Sequence, residues 1–171
     1  MLNSEEYLRN PHKDSGFDLF IPRNPVQEGG VSVGDYRFST GETRLIDLGI
    51  RCAAYRMKGE QKCGPKSAWK GQPFCIYPRS SIYKSGFRLA NNVGVVDSGY
   101  RGNIMGAFDN VVPASHYKMK CMRPRPPYTA LKSHIRLLQI CMPDLQPFSV
   151  KVVDSLDTTS RGSGGFGSTG T

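Results

Sequence analysis

The stretch Val93-Gly-Val-Val-Asp97-Ser-Gly-Tyr100-Arg-Gly102 has the form of a β-hairpin. A short apolar run ends at Asp97, a Ser-Gly turn follows, and Tyr100 leads into a second run from Asn103 to Phe108. Aspartate is common at such turns because its side chain accepts hydrogen bonds from nearby backbone N–H groups. On its own, the stretch predicts two antiparallel strands and a structural role for Asp97.

Similar short runs, rich in β-branched and aromatic residues, recur along the chain between Gly, Pro, Asn and Asp. The segment Ser80–Leu89 favours one short helix, with Ser80 as its N-cap and Gly86 limiting its length. The pattern as a whole is typical of an all-β fold, either a barrel or a double-sheet roll. We predict strands at Phe17–Ile21, Tyr36–Ser39, Arg44–Cys52, Phe74–Tyr77, Val93–Val96, Asn103–Phe108, His134–Met142 and Phe148–Val153.

Length and composition place further limits on the protein. The 171 residues suffice for one domain with a core. No run is apolar for long enough to span a bilayer, and the first residues lack the basic and apolar regions of a signal peptide. We therefore expect a cytoplasmic or nuclear protein without a membrane partner. The five cysteines and three histidines show no metal-ligand spacing, which indicates reduced thiols.

The chain carries a net charge of +9, which suits a polyanionic partner. Six basic residues lie between Arg51 and Lys70 against the single acid Glu60, and Trp69 lies among them. This basic cluster has two interpretations: a nucleic-acid patch with one stacking aromatic, or a solvated loop. We favour the loop and keep nucleic acid as the second interpretation.

Two further stretches contain residues suited to phosphate or metal. In Tyr77-Pro-Arg79-Ser80-Ser81, hydroxyl and N–H groups at a helix start can hold phosphate oxygens, and Arg79 adds charge-assisted bonds. The stretch Asp14-Ser-Gly-Phe-Asp18-Leu places a carboxylate just inside an early strand. Each stretch also has an ordinary structural interpretation, since serines often cap helices and a lone aspartate usually lies on the surface.

The C-terminal stretch Arg161-Gly-Ser-Gly-Gly-Phe-Gly-Ser-Thr-Gly170 has the glycine and serine content of a flexible linker. A linker, however, has no need for Arg161 or Phe166. Glycines let backbone N–H groups converge on an anion, Arg161 could hold a terminal phosphate, and Phe166 could cover a planar ring. We therefore predict a domain at residues 1–160 and an arm at residues 161–171. The arm closes over a nucleotide, and without one it has no contacts that offset its ordering entropy.

Together, these stretches resemble the trimeric dUTPase family, the deoxyuridine triphosphate pyrophosphatases. The resemblance implies a jelly-roll-like β barrel and a homotrimer whose sites draw on different chains. It also implies Mg²⁺-dependent hydrolysis of dUTP to dUMP and pyrophosphate. Five family motifs occur in order, of which the third and fifth are the specific ones: Ser15-Gly-Phe-Asp18-Leu, Pro78-Arg-Ser-Ser81, Asn91 to Gly102, Arg136-Leu-Leu-Gln139-Ile and Arg161 to Gly170.

The resemblance further implies a role for each matched residue. Asp97 would be the general base, and Arg79 would support the site near the attacking water and the phosphates. Tyr100 would pack under the deoxyribose, and Asp18 would orient a hydrated Mg²⁺. The remaining substrate-binding residues would be Asn91, Gly94 and Val96 at the uracil, Ser80, Ser81 and Gln139 at the α- and β-phosphates, and Arg161, Phe166, Gly167, Ser168 and Thr169 in the arm.

Two alternatives stay open at this point. The dCTP deaminases share this fold and hairpin, but their chemistry needs a glutamate where this chain has Ala107. A non-catalytic binding module would keep the fold and the nucleotide site but lose turnover. The span from Arg51 to Tyr77 is longer than the compact hairpin of the family. We interpret it as containing an insertion at about 53–73 that carries the basic cluster, and we expect this insertion not to touch the motifs.

Overall fold

The computed structural model describes residues 14–28, 31–57, 69–117 and 128–165. Within these ranges the chain forms thirteen β-strands and two short 3₁₀ helices, Ser80–Lys84 and Ala114–Tyr117. Neither helix has the length and apolar character needed to cross a membrane. The strands are β1 Gly16–Phe20, β2 Asn24–Glu28, β3 Val31–Gly34, β4 Tyr36–Phe38, β5 Thr43–Arg51, β6 Ala54–Met57, β7 Trp69–Gln72, β8 Phe74–Pro78, β9 Phe87–Leu89, β10 Gly94–Val96, β11 Asn103–Asn110, β12 Thr129–Leu131 and β13 Arg136–Cys141.

Antiparallel pairing joins these strands into sheets. The largest sheet has the order β1–β13–β8–β10, and a three-stranded sheet has the order β5–β11–β9. Three two-stranded ribbons pair β12 with β4, β2 with β3, and β6 with β7. Strands distant in sequence are thus neighbours in space, as in a jelly roll. The predicted all-β, jelly-roll-like fold is confirmed.

Alternating buried side chains along the strands build the core between the sheets. Phe74 and Ile76 of β8 are both buried, with 2% of each residue exposed. Phe87 packs edge to face against two other rings. Its ring centroid lies 4.9 Å from that of Phe38 and 6.5 Å from that of Phe108. Such pairs contribute about 0.5–1.5 kcal/mol beyond the area that they bury.

Seven of the eight predicted strands are confirmed to within two residues at either end. The prediction is wrong for residues 148–153, which form no strand. Val152 in this segment is 76% exposed, and a β-branched run becomes a strand only where another strand offers its edge. The predicted short helix is confirmed as the 3₁₀ helix Ser80–Lys84, which ends two residues before Gly86. The second 3₁₀ helix, Ala114–Tyr117, was not predicted.

The cysteines in the described part of the chain, Cys52, Cys75 and Cys141, are free thiols. Burial raises the pKa of Cys52 to about 11, and it also raises the pKa of Cys141. Both groups are therefore protonated at neutral pH, and neither is a candidate nucleophile because the thiolate is the reactive form. Cys63 and Cys121 lie outside the described residues.

Candidate functional site

A cleft of about 230 Å³ lies beside the turn that joins β10 to β11. Its volume is below the range of about 300–1,000 Å³ typical of sites for drug-sized ligands, so it suits the nucleoside part of a nucleotide rather than a whole triphosphate. Ile76, Ile104 and Met105 supply apolar lining. The cleft brings together six residues that the sequence analysis assigned to the site: Asn91, Gly94, Val96, Asp97, Tyr100 and Arg161.

Asp97 directly follows β10 and begins a tight turn. Its carbonyl accepts the backbone N–H of Tyr100 at 3.0 Å, which confirms the predicted turn. The predicted pairing of the two flanking strands is wrong, because β10 pairs with β8 and β11 pairs with β5 and β9 in another sheet. The carboxylate lines the cleft with half of its side chain exposed (51%), so water can reach it. Its ion-pair partner is Arg161, whose Nη1 lies 2.9 Å from Oδ2.

Tyr100 is fixed beside this carboxylate by the strand that follows. Its hydroxyl donates to the carbonyl of Asn103 at 2.8 Å. The side chain of Asn103 in turn donates to Oδ2 of Asp47 at 2.7 Å. A Cβ on Gly102 would lie 2.5 Å from the Tyr100 hydroxyl oxygen, so only glycine leaves room for the ring at this position. The ring is thus a rigid wall of the cleft.

The strand β10 offers its backbone to the cleft. In the described part of the chain it is the edge strand of the four-stranded sheet and pairs only with β8. Edge strands leave a row of backbone N–H and C=O groups without ladder partners. A Cβ on Gly94 would lie 3.7 Å from Nδ2 of Asn91, so backbone and amide groups converge here. They can form hydrogen bonds to the edge of a planar base.

A second group of predicted residues surrounds Asp18 on β1. Asp18 Oδ1 lies 2.7 Å from Nε of Arg79, and Oδ2 lies 3.2 Å from Nη1 of Arg136. Strand pairing places Asp18 opposite Gln139 of β13. We call these four residues the arginine cluster. Two guanidinium groups beside one carboxylate leave a net positive charge, which suits a phosphate.

Gly16 explains how the first and fourth motifs fit together in this cluster. A Cβ on Gly16 would lie 2.2 Å from Oε1 of Gln139, so the glutamine side chain occupies the space that any larger residue would need. Gln139 also donates through Nε2 to the carbonyl of Pro78 at 3.4 Å. The first, second and fourth motifs therefore meet at one place.

Ser80 and Ser81 lie at the start of a 3₁₀ helix, next to the arginine cluster. Arg79 is the residue before this helix, and its backbone N–H donates to the carbonyl of Leu137 at 2.8 Å. That bond ties the helix start to β13. The two hydroxyl groups thus follow directly on a guanidinium group that is itself held by Asp18.

The predicted site residues consequently fall into two groups on one chain. The lining of the cleft, as far as the described residues go, includes no member of the arginine cluster and neither Ser80 nor Ser81. One group suits a nucleoside and the other suits phosphate.

The first residues of the predicted arm contact the turn at Asp97. Beside the Arg161–Asp97 pair, the carbonyl of Gly162 accepts the backbone N–H of Arg101 at 2.7 Å. The expectation that the arm makes no contacts of its own is wrong for residues 161–165, because the turn offers it both a carboxylate and a backbone donor. Phe166, Gly167, Ser168 and Thr169 lie outside the described residues.

The inserted hairpin also reaches this turn, through its strands β6 and β7. The Tyr55 hydroxyl accepts a hydrogen bond from Nη2 of Arg101 at 3.3 Å. The expectation that the insertion does not touch the motifs is therefore wrong, because β6 packs beside the residue that follows Tyr100. The insertion's loop, residues 58–68 with three of the six basic residues, lies outside the described part. Arg56 of the basic cluster pairs with Asp144.

Sequence reasoning thus missed four residues around the two groups. Arg136 and Arg101 stand inside the matched motifs, so their charge next to a matched residue was a usable signal. Tyr55 and Asp157 had no such signal, because each depends on a contact with a part of the chain far away in sequence.

A divalent metal would have one protein carboxylate available at the arginine cluster. The described residues contain no group of three or more His, Cys, Asp or Glu side chains that could hold a metal ion. Both oxygens of Asp18 accept from an arginine, but each carboxylate oxygen has a second lone pair that can accept from a metal-bound water. The site therefore fits Mg²⁺ carried by a polyphosphate, which typically keeps several waters, rather than an ion held by protein ligands alone.

The position that would distinguish a deaminase is Ala107. It lies in β11, buried with 8% of the residue exposed, and pairs with Leu45 of β5. The cleft lining within the described ranges contains one carboxylate, Asp97, and no glutamate. Among the residues that the structure describes, the cleft therefore offers no second acid to exchange protons with a base.

Known proteins similar to this chain were found by sequence. No model of a protein family matches it. A deoxyuridine 5′-triphosphate nucleotidohydrolase of Escherichia phage T5 is 32% identical over 160 residues, which span 91% of this chain and 85% of the relative. A protein of the same name from Rhodococcus erythropolis is 33% identical over 158 residues, which span 90% of this chain and 80% of the relative.

Solved structures give a similar fold. A dUTPase of Staphylococcus bacteriophage 80alpha, determined with dUpNHpp, superposes with a TM-score of 0.50 at 17% sequence identity. The match covers 95% of this chain and 90% of that one. At this identity the similarity concerns the fold, and it agrees with the sheets described above.

Proposed function

The chain belongs to the dUTPase family, and on that premise we propose that it hydrolyses dUTP to dUMP and pyrophosphate, which keeps uracil out of DNA and supplies dUMP for thymidylate synthesis. The observation that carries the proposal is the half-exposed Asp97 carboxylate, held on a tight turn in a nucleoside-sized cleft. A carboxylate in this position can take a proton from the attacking water while the bond between the α- and β-phosphates breaks.

The nucleoside would occupy the cleft. Asn91 and the backbone of Gly94 and Val96 would form hydrogen bonds to the uracil edge, because β10 is an edge strand there. A 5-methyl group would meet the tight turn after β10, which would disfavour thymine. Tyr100, held by Asn103, would pack under the deoxyribose and exclude a 2′-hydroxyl by shape. The deaminase alternative is disfavoured by Ala107.

The phosphates would lie at the arginine cluster. Ser80 and Ser81 would donate to the α- and β-phosphates, and Gln139 would contact the α-phosphate. Arg79 would act as the catalytic support near the phosphates, since Asp18 already holds its guanidinium group in place. Mg²⁺, when bound, would neutralise charge on the phosphate oxygens. Asp18 would orient it through a bound water.

Substrate binding would change the ion-pair partner of Arg161 and thereby free the carboxylate of the base, Asp97. Arg161 pairs with Asp97, and a triphosphate offers it more negative charge than a single carboxylate does. The terminal phosphate would therefore draw Arg161 away and leave Asp97 to hold the attacking water. Phe166 would then stack on the uracil, and Gly167, Ser168 and Thr169 would donate hydrogen bonds to the phosphates.

A homotrimer with shared sites would unite the two groups of site residues. The arginine cluster does not line the nucleoside cleft of the same chain, and in a trimer the phosphate-binding groups of another copy would complete each cleft. We expect light scattering at micromolar concentration to give three times the mass of the chain. An active monomer would contradict this arrangement.

The decisive experiment measures pyrophosphate release from each of dUTP, dCTP, dTTP and UTP with Mg²⁺. We expect release from dUTP to exceed release from the other three, and to stop when EDTA removes the metal. Ammonia release from dCTP would instead indicate a deaminase. Nucleotide binding without turnover would indicate a binding module.

Two further predictions concern the location of the enzyme in the cell and the partner of its basic cluster. A cytoplasmic or nuclear location agrees with the need for dUTP removal near DNA synthesis. A nucleic-acid partner for the basic cluster remains the second interpretation beside a solvated loop. A gel shift with DNA or RNA that weakens with salt would support the nucleic-acid interpretation.

A further inference from the structure

The guanidinium group of Arg101 is the centre of a network outside the assigned site residues. Its Nη1 donates to the carbonyls of Ser98 at 2.9 Å and Tyr100 at 2.8 Å. Its Nε donates to Asp157, and its Nη2 donates to Asp157 and to the Tyr55 hydroxyl, both at 3.3 Å. The five N–H groups of an arginine can satisfy all of these acceptors at once.

The hydrogen bonds of Arg101 hold together the turn that begins at Asp97. Only 10% of the Arg101 side chain is exposed, so the charge depends on its partners rather than on water. Two of those partners are carbonyls within the turn that begins at Asp97. The direction of the Asp97 carboxylate is therefore coupled to the position of the Arg101 guanidinium group.

Tyr55 and Asp157 hold that guanidinium group from the far side. The Tyr55 hydroxyl donates to Oδ1 of Asp157 while it accepts from Arg101. Hydrogen bonds from Tyr55 and Arg101 lower the pKa of Asp157, while burial, followed by the bond to Asp157, raises the pKa of Tyr55. At neutral pH the tyrosine is therefore a donor and the aspartate an acceptor, which fixes the direction of the bond.

The same turn is the docking point of the C-terminal segment. The Thr159 hydroxyl donates to the carbonyl of Gly99, and the Gly162 carbonyl accepts from the backbone N–H of Arg101. On the other side, a Cβ on Gly71 of β7 would lie 3.7 Å from the Ser98 Cβ. The inserted hairpin, the turn and the beginning of the arm thus form one connected unit.

We propose that Tyr55, in the inserted hairpin, is a positioning residue for dUTP hydrolysis. It acts through Asp157 and Arg101 to fix the turn that carries Asp97 and the start of the arm. The inference rests on the proposed function. It gives the insertion a role in catalysis that does not depend on the charge of its loop.

The test is Tyr55→Phe, which removes the hydroxyl and keeps the ring. We expect kcat for dUTP to fall about three- to tenfold. Two bonds to charged groups are lost, but the effect is modest because Tyr55 is an exposed residue and Arg101 keeps its bonds to Asp157 and to the two carbonyls of the turn. Affinity for a non-hydrolysable dUTP analogue should stay within about twofold. Tyr128→Phe is the matched control, because Tyr128 contacts Arg37 through its ring, and it should leave kcat unchanged.

A double-mutant cycle with Asp157→Asn separates positioning from general destabilisation. If both residues act through Arg101, the double variant should lose little more kcat than Asp157→Asn alone. The inference is overturned if Tyr55→Phe keeps the wild-type kcat, or if the losses of the two single variants simply multiply in the double variant. It is also overturned if the loss of kcat disappears at a lower temperature, because the loss would then reflect unfolding of the variant. Absence of pyrophosphate release by the wild-type enzyme would instead refute the proposed function, and with it the basis of this inference.

Discussion

Replacement of Asp97 by asparagine is expected to lower kcat for dUTP by about 10²–10⁴-fold, the range that a positioned general base contributes. Asparagine keeps the size of the side chain but cannot accept a proton from water at neutral pH. The turn itself should persist, because the carbonyl of residue 97 rather than its side chain accepts the Tyr100 N–H. The loss should therefore fall on kcat, measured as initial rates of pyrophosphate release.

Nucleotide affinity gives the same variant a second readout. Arg161 pairs with the Asp97 carboxylate, and a neutral asparagine competes less well for it. Affinity for a non-hydrolysable dUTP analogue, measured by calorimetry, should thus be equal to or tighter than that of the wild type. Asp154→Asn, which removes an exposed carboxylate outside the assigned site, is the control and should change neither quantity. Turnover within tenfold of wild type would remove Asp97 from the role of base.

The strands could be predicted where their pattern reflects burial on one face. In β8, buried Phe74 and Ile76 alternate with less buried neighbours, so the run itself specifies the strand. Residues 148–153 have a similar content of β-branched and aromatic residues, but they pair with no strand in the described part of the chain. The composition of a segment indicates its propensity for extended backbone, whereas strand formation also needs a second strand to which it can form hydrogen bonds.

The site could be predicted where chemistry and motif coincide, as in the turn at Asp97. The contacts of Tyr55 could not, because its partners lie 46 and 102 residues away and an exposed tyrosine in a hairpin carries no local signal. The partner of Arg161 was likewise not predicted. In the absence of a phosphate, the guanidinium group of Arg161 pairs with a carboxylate of the chain itself, that of Asp97 in the cleft.

A chain that stops after Ser160 is expected to fold and assemble but to lose about 10²–10³-fold in turnover, the scale of removing a charge-stabilising donor. The truncation removes Arg161 and the Gly162 carbonyl that accepts from Arg101, but it keeps Asp157 and Thr159 on the turn. Two hydrogen bonds of the Gly162 backbone and one exposed ion pair contribute about 2 kcal/mol. The melting temperature should thus fall by only a few degrees.

A second truncation, after Gly165, separates the two tasks of the arm. It keeps Arg161 and Gly162 in place and removes Phe166 with the residues that follow. If Arg161 holds the terminal phosphate and Phe166 covers the base, this chain should retain an intermediate rate, with most of its loss in dUTP affinity. Melting temperature, mass by light scattering and kcat of both truncations are then compared with the full chain. Full activity after truncation at Ser160 would show that residues 161–171 are a tail, because neither phosphate positioning nor water exclusion could then depend on them.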